Sequence, residues 1–157
     1  MNLEKKIVLA NDHAAYKMKC DIKKYLLELG FKNVIDVGTD SEEKVDYPIY
    51  AVKACNNIVT KKADLGILFC GTGIGMSIAA NKINGIRACA ANEILSATLS
   101  KMHNNSNVLC IGARIVGIEV AKKIVYEWLK TEYIGGYHEN RIDMLNKIEK
   151  EDFHFIN

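Results

Sequence analysis

The stretch Leu65-Gly-Ile-Leu-Phe-Cys-Gly-Thr-Gly-Ile-Gly75 decides the fold, because an apolar run typical of a buried strand ends there in a glycine-rich turn. Residues 76–82 contain no helix breaker and predict a helix directly after the turn. Alternate glycines allow successive backbone N–H groups to point into one concavity that would accept an oxyanion. Cys70 would lie beside these donors, which favour a thiolate and make it a candidate base or nucleophile.

The familiar phosphate-binding motifs do not fit this turn. Glycines at 71, 73 and 75 leave no G-x-G-x-x-G register, and no Gly-Lys-Ser/Thr follows them. A cysteine phosphatase would need an arginine six positions after the thiol, where Met76 stands. A cysteine at a strand end often only fills space, so a purely structural role stays open at this point.

Composition excludes several classes of function. The chain of 157 residues suits one domain, residues 1–157, and its 21 basic and 19 acidic residues are mixed along the chain to a net charge of +2. This pattern predicts no nucleic-acid or membrane partner, and the absence of a signal-like N-terminus predicts a cytoplasmic protein. Five cysteines without a C-x-x-C pair indicate reduced thiols, and four isolated histidines predict no metal site.

Strand and helix patterns alternate along the chain. Apolar runs predict strands at residues 7–10, 34–37, 65–69, 86–90 and 107–111. Each run is followed by a helical pattern, and Asn92 is the predicted cap of the fourth helix. We therefore expect an α/β fold, a Rossmann-like three-layer αβα sandwich on a five-stranded parallel sheet of order 2-1-3-4-5.

An extra amphipathic helix is predicted over residues 139–150, after the fifth unit. Its apolar stripe of Ile142, Leu145 and Ile148 must be buried either on its own domain or on a second copy of the chain. The second copy is the favoured interpretation. Two interpretations of the aromatic tail, residues 152–155, stay open, since it either packs or frays.

Polar side chains follow three of the predicted strands, at the edge where parallel sheets bind ligands. Asp12 and His13 follow the first strand, the segment 70–75 follows the third, and Arg114 follows the fifth. Each has a simpler interpretation, since Asp12 could cap a helix and a lone histidine or arginine is usually on the surface. Together, an acid, a histidine, a thiol, an anion-binding turn and an arginine predict a pocket for a phosphorylated substrate.

His103 and Asn104 end the fourth predicted helix, at the opposite end of a βα unit. Topology therefore separates them from this pocket, and a neighbouring chain is one way to bring them to it.

Several motifs, with their spacing, resemble type B ribose-5-phosphate isomerases over nearly the whole chain. They are Asn11-Asp12-His13, Asp46-Tyr-Pro48, Cys70-Gly-Thr-Gly-Ile-Gly75, Asn81-Lys-Ile-Asn-Gly-Ile-Arg87, His103-Asn104, Gly112-Ala-Arg-Ile-Val-Gly117 and Gly135-Gly-Tyr-His-Glu-Asn-Arg141. The same family includes galactose-6-phosphate and allose-6-phosphate isomerases.

The resemblance implies a cofactor-free isomerase of the pentose phosphate pathway that interconverts D-ribose 5-phosphate and D-ribulose 5-phosphate through a cis-enediolate. Cys70 matches the base that moves a proton between C2 and C1, and Met76 replaces the glutamate used by another branch. His103 matches the residue that opens the sugar ring, while Asp12 and Thr72 order the sugar oxygens. The further binding residues that the resemblance implies are His13, Gly71, Gly73, Ile74, Gly75, Asn104, Arg114, His138 and Arg141.

The family is dimeric with sites between subunits, which implies a homodimer, or a homotetramer of two such dimers. Around the phosphate, Tyr137 stands where the family's Gly-Gly-Arg-His pattern has an arginine, so one guanidinium is missing unless His138 or the tyrosine hydroxyl replaces it. This difference keeps an allose or galactose 6-phosphate isomerase open. A non-enzymatic sugar-phosphate-binding module and a hydrolase with Cys70 as nucleophile are further alternatives.

Overall fold

The computed structural model describes residues 1–152, which form five βα units in strict alternation followed by a sixth α-helix. The strands are β1 (Ile7–Asn11), β2 (Val34–Asp36), β3 (Leu65–Cys70), β4 (Ala88–Ala90) and β5 (Val108–Gly112). The helices are α1 (Tyr16–Glu28), α2 (Tyr47–Val59), α3 (Ile74–Ala80), α4 (Ile94–Asn104), α5 (Ile118–Lys130) and α6 (Tyr137–Glu149). A short 3-10 helix, His13–Ala15, precedes α1. Residues 153–155 of the aromatic tail lie outside the described part of the chain.

The five strands form one parallel sheet of order β2-β1-β3-β5-β4. The predicted parallel α/β architecture is confirmed, whereas the predicted order 2-1-3-4-5 was wrong for its last two strands. All five residues of β5 are buried, and the strand pairs with β3 on one side and β4 on the other. The three residues of β4 are partly exposed, so this short strand suits the edge, where only one side is paired.

Helices cover both faces of the sheet, as the three-layer prediction requires. Along β1, Ile7 and Leu9 face a core shared with α1, α4 and α5, while Val8 and Ala10 face a second core shared with α2 and α3. Trp128 fills the first core and donates its indole N–H to the Ser106 hydroxyl at 2.8 Å. The two cores therefore cover both faces of the central strands β1, β3 and β5.

The extra helix α6 packs against α4 of its own chain. Its residues His138 and Ile142 are buried, and the Glu149 carboxylate accepts a hydrogen bond from the Gly85 N–H at 2.9 Å. Leu145 and Ile148 are still 41 and 45 % exposed. The subunit thus buries only part of the apolar stripe that was predicted to pack on a second copy.

Of the helices within residues 1–152, none combines the length and the apolar character that crossing a bilayer requires.

Candidate active site

Cys70 ends the central strand β3 with its side chain almost fully buried. The Gly73 N–H donates a hydrogen bond to its Sγ atom at 3.1 Å. Gly73 has a φ of +80°, a conformation that other residues rarely adopt, and the turn depends on it. The Ile74 N–H donates to the Thr72 hydroxyl at 3.3 Å, so two donors of the predicted anion-binding turn act within the turn itself. One of them, the Gly73 N–H, is aimed at the sulfur of Cys70.

Asp12 follows β1 at the same edge of the sheet, and it caps the 3-10 helix by accepting the Ala14 N–H at 3.0 Å. The simpler interpretation of Asp12 as a cap therefore holds, and the residue also follows β1 beside the end of β3, where its N–H donates to the Phe69 carbonyl at 3.1 Å. Burial raises the pKa of its carboxyl group, against the opposing charges of His13 and Arg114. The carboxyl group of Asp12 therefore lies near a histidine and an arginine.

His13 has a defined hydrogen-bonding state. Its Nδ1 atom accepts a hydrogen bond from the Val45 N–H at 3.3 Å, so in the neutral ring the proton is on Nε2. The remaining ring nitrogen is therefore a donor, which suits contact with a phosphate or hydroxyl oxygen.

Arg114 follows β5 and lies across the turn. Its N–H donates to the Gly71 carbonyl at 2.9 Å, and a Cβ atom on Gly71 would lie 3.4 Å from the Arg114 Cδ atom. A side chain at Gly71 would therefore be in ordinary van der Waals contact with the arginine, whose side chain lies against the turn. The structure places the strand-end residues Asp12, His13, Cys70, the glycine turn and Arg114 at the same edge of the sheet.

Two residues of this edge, Tyr47 and Asn92, were not among the predicted site residues. The ring of Tyr47 packs on Gly75 so closely that an added Cβ would lie 2.9 Å from its Cζ atom. Asn92 was wrongly predicted to cap the fourth helix, because the carboxylate of Glu93 accepts the Leu95 and Ser96 N–H groups instead.

The Asn92 amide instead joins two loops of the pocket. Its Nδ2 group donates to the Thr72 carbonyl at 3.0 Å, and its Oδ1 atom accepts the Gly112 N–H at 2.7 Å. Asn92 comes just after β4, so the rule that strand-end residues line a parallel-sheet site would have identified it.

The remaining predicted residues form a second cluster on α4 and α6. The His103 and His138 rings stack with centroids 4.4 Å apart, and the Tyr137 ring lies 4.1 Å from the His138 ring. Arg141 places its Cζ atom 5.0 Å from the Tyr137 ring centre and its Nη1 atom 3.4 Å from His138 Nδ1. Burial, His103 and Arg141 all lower the pKa of His138, so its ring is neutral near pH 7.

The two clusters lie at opposite ends of the parallel strands. Cys70 pairs in register with Gly112 at the carboxyl end of β5, whereas Asn104 precedes the first residue of that strand. Arg87, the residue just before β4, donates its Nε–H to the Asn104 carbonyl at 3.2 Å. The five residues of β5 alone separate the two ends of the strands by about 13 Å. One subunit therefore does not bring His103, Asn104, His138 and Arg141 to Cys70.

Comparison with known proteins gives one consistent result. A family model described as Ribose/Galactose Isomerase matches residues 7–145. Ribose-5-phosphate isomerase B of Escherichia coli is 47% identical over 146 residues, which cover 93% of this chain and 97% of the relative. The type B ribose 5-phosphate isomerase of Leishmania infantum superposes with a TM-score of 0.90 at 45% identity, over 96% of this chain and 99% of the other. Ribose-5-phosphate isomerase B of Mycoplasma genitalium, solved with bound ribulose-5-phosphate, has a TM-score of 0.88 at 38% identity, over 93% and 97% of the chains.

Proposed function

The chain belongs to the ribose/galactose isomerase family, and from that premise we propose that it interconverts D-ribose 5-phosphate and D-ribulose 5-phosphate. The observation that carries the proposal is the thiol of Cys70, which ends the central strand with a backbone N–H directed at its sulfur. Aldose and ketose differ in the position of one carbon-bound proton. A base held beside that carbon, in a pocket with donors for the oxygens, is what the reaction needs.

In the proposed reaction the Cys70 thiolate removes the proton from C2 of the open-chain aldose. The electron pair of that C–H bond forms the C1–C2 double bond, and the carbonyl oxygen O1 becomes an enediolate oxygen. Thr72 moves the hydroxyl proton between O2 and O1, and the Cys70 thiol then returns its proton to C1 to give the ketose. Cys70 ends as a thiolate, so no cofactor is required.

The remaining residues of this edge bind the sugar phosphate. Asp12 orders a sugar hydroxyl, and the turn from Gly71 to Gly75 lies along the enediolate, where the Gly73 and Ile74 N–H groups hold the Cys70 sulfur and the Thr72 hydroxyl in place. His13 and Arg114 face the phosphate, supported by the Nε2 donor of His13 and by the guanidinium that lies over Gly71.

The second cluster completes the site from another subunit. His103 opens the sugar ring, Asn104 holds a sugar oxygen, and His138 and Arg141 extend the phosphate site. A homodimer that sets this cluster of one subunit against Cys70 of the other would form two complete sites, and two dimers would form a tetramer. The exposed parts of Leu145 and Ile148 on α6 supply apolar surface for such contacts. The cytoplasm is the proposed location, since five cysteines without a C-x-x-C pair suit a reducing compartment.

One observation favours a hexose 6-phosphate as the alternative substrate. Tyr137 is 66% exposed beside Arg141, and it brings an aromatic surface instead of a second guanidinium. An isomerase of allose or galactose 6-phosphate is therefore the second candidate.

A side-by-side assay with ribose 5-phosphate, allose 6-phosphate and galactose 6-phosphate in deuterated water tests the proposal. We expect ribose 5-phosphate to react fastest, with deuterium incorporated at C1 or C2. Cys70→Ala should lower kcat at least about a hundredfold, the lower range for loss of a catalytic base, with unchanged melting temperature and sugar phosphate binding. Cys20→Ala, on the outer helix α1, is the matched control and should react like the wild type.

Near-normal turnover by Cys70→Ala would contradict the assigned base. A preference for a hexose would replace the substrate and keep the chemistry. Binding of all three sugars with turnover of none would identify a binding module, and a burst of product with a trapped covalent adduct would identify a hydrolase.

A further inference from the structure

The peptide unit between Thr72 and Gly73 is held by hydrogen bonds at both of its polar atoms. Its carbonyl oxygen accepts the Asn92 Nδ2 group at 3.0 Å, and its N–H donates to the Cys70 Sγ atom at 3.1 Å. The C=O and N–H of a planar trans peptide point in opposite directions. A donor on one side and the sulfur on the other therefore fix the plane of this peptide in one orientation.

The orientation of the Asn92 amide is fixed in turn by the end of β5. Its Oδ1 atom accepts the Gly112 N–H at 2.7 Å, so its NH2 group must face the Thr72 carbonyl. A reversed amide would set donor against donor at Gly112 and acceptor against acceptor at Thr72. Gly112 is also the register partner of Cys70. The chain of hydrogen bonds thus begins and ends at a pair of residues on neighbouring strands.

Without Asn92, this peptide has an alternative orientation. Rotation of its plane changes ψ of Thr72 and φ of Gly73, and glycine tolerates either sign of φ. The rotated peptide would direct its carbonyl oxygen towards the sulfur, which opposes a thiolate, instead of its N–H, which favours one. A donor on the carbonyl also polarises the peptide and strengthens its N–H as a donor.

We infer that Asn92 is a positioning residue for Cys70: it holds the Thr72–Gly73 peptide so that its N–H is aimed at the sulfur. The inference rests on the proposed function only for the catalytic role of Cys70. The hydrogen-bonded chain itself is independent of any substrate.

Alkylation of Cys70 by iodoacetamide, followed at each cysteine by peptide mass spectrometry over a range of pH, tests the inference. We expect Asn92→Ala to move the alkylation profile of Cys70 to higher pH and to lower its rate at neutral pH about tenfold, as for loss of a hydrogen bond to an ionised group. The kcat for ribose 5-phosphate should fall by a similar factor, while KM should stay within about twofold. Asn92→Asp is nearly isosteric and should have a larger effect, because it sets a carboxylate oxygen against the Thr72 carbonyl.

Asn81 provides a matched control, since its amide makes the same pair of backbone hydrogen bonds at a distance from the thiol. Its Nδ2 group donates to the Ala88 carbonyl at 2.9 Å, and its Oδ1 atom accepts the Ala88 N–H at 2.8 Å. Asn81→Ala should lose comparable thermal stability with an unchanged alkylation profile at Cys70. In the wild type, the Gly73 amide proton should show an NMR shift that follows ionisation of Cys70, a measurement that needs no variant.

The inference would be overturned if both Asn92 variants had wild-type alkylation profiles. It would also be overturned if the Gly73 amide proton did not respond to ionisation of Cys70. An equal shift of the profile in Asn81→Ala would overturn it as well, because the effect would then be one of general stability. The test separates the two proposals: a wild-type protein that converts no sugar phosphate, with a shifted profile in Asn92→Ala, would refute the isomerase and leave the role of Asn92 intact.

Discussion

At the scale of single residues, Tyr137 stands at the position where the sequence resemblance implies an arginine of the phosphate site. The residue packs on its neighbours, since its ring centroid lies 4.1 Å from that of the His138 ring, at a tilt of 35°, and 5.0 Å from the Arg141 Cζ atom. A guanidinium over an aromatic face is held by attraction to the ring. Tyr137 therefore orients the positive charge of Arg141 without adding a charge of its own.

Tyr137→Arg should lower KM for ribose 5-phosphate about tenfold with little change in kcat, because a second guanidinium would add charge-assisted hydrogen bonds to the phosphate. Tyr137→Phe keeps the ring and is the control, for which we expect wild-type KM. Steady-state kinetics of the three proteins make the comparison. An unchanged KM in Tyr137→Arg would mean that residue 137 does not reach the phosphate, and a higher KM in Tyr137→Phe would assign the contact to the hydroxyl group.

At the scale of elements, an ion pair attaches helix α1 to strand β2. The buried ammonium group of Lys19 contacts both carboxylate oxygens of Asp36, at 3.2 and 3.0 Å, and donates to the Thr39 carbonyl at 3.3 Å. Lys23 contacts the same carboxylate at 3.1 Å. These bonds hold the start of the loop that leads to Val45, whose N–H determines the ring state of His13. The ion pair between α1 and β2 thus also supports the loop that contacts His13.

Asp36→Asn should lower the free energy of unfolding by roughly 2–3 kcal/mol at pH 7, somewhat less than for a fully buried pair, because it leaves the Lys19 charge buried without a carboxylate. Burial raises the pKa of Asp36, but the hydrogen bonds from Lys19 and Lys23 outweigh it, and the net shift is downward from 3.8. The pair therefore stabilises the fold above about pH 4, and this contribution is lost as the pH falls through the folded-state pKa.

Urea unfolding at pH 7 and at several pH values below 4 measures this effect. The difference between wild type and variant should shrink in the acid range. Glu42→Gln breaks the exposed pair of Glu42 with Lys17 and is the control, with an expected change below about 1 kcal/mol. A difference for Asp36→Asn that persists unchanged at low pH would refute the ion pair as its cause.

At the scale of the whole molecule, the proposed site is divided between the two ends of the parallel strands. Asp12, Cys70 and Arg114 lie at the carboxyl ends, and His103 and Arg141 lie at the amino ends. The proposed dimer brings the two groups together across the interface, so that each site takes Cys70 from one subunit and His103 from its partner. Each subunit would then contribute half of two sites.

Mixing two inactive variants tests this arrangement. Cys70→Ala and His103→Ala should each be inactive on the cyclic sugar, but after exchange of subunits we expect about a quarter of wild-type activity, because about half of the dimers are mixed and each has one intact site. The activity of the mixture against that of the separate variants is the measurement. Asp12→Ala mixed with Cys70→Ala is the control, since both changes affect the same half and no intact site can form. Absence of recovery in the first mixture, with exchange verified, would place all catalytic groups within one subunit.

Local patterns in the sequence were sufficient for much of this protein. The buried apolar runs of β1, β3 and β5, and the glycine turn after Cys70, depend on neighbouring residues, so they predicted the strands, the parallel class and the strand-end residues around the thiol. The conformation that Gly73 must adopt is local in the same way.

Only the tertiary structure decided which distant groups meet. The order of β4 and β5 depends on strand pairing and burial, which the sequence pattern does not record. Asn92 and Glu93 are both able to cap α4, and the choice was made by the Thr72 carbonyl and the Gly112 N–H, each 20 residues away, which engage the Asn92 amide. The stacking of His103 on His138 likewise joins two helices far apart in the chain. The sequence by itself therefore determined the thiol and its turn, because their geometry is local, whereas packing between distant segments determined the hydrogen bonds that orient them.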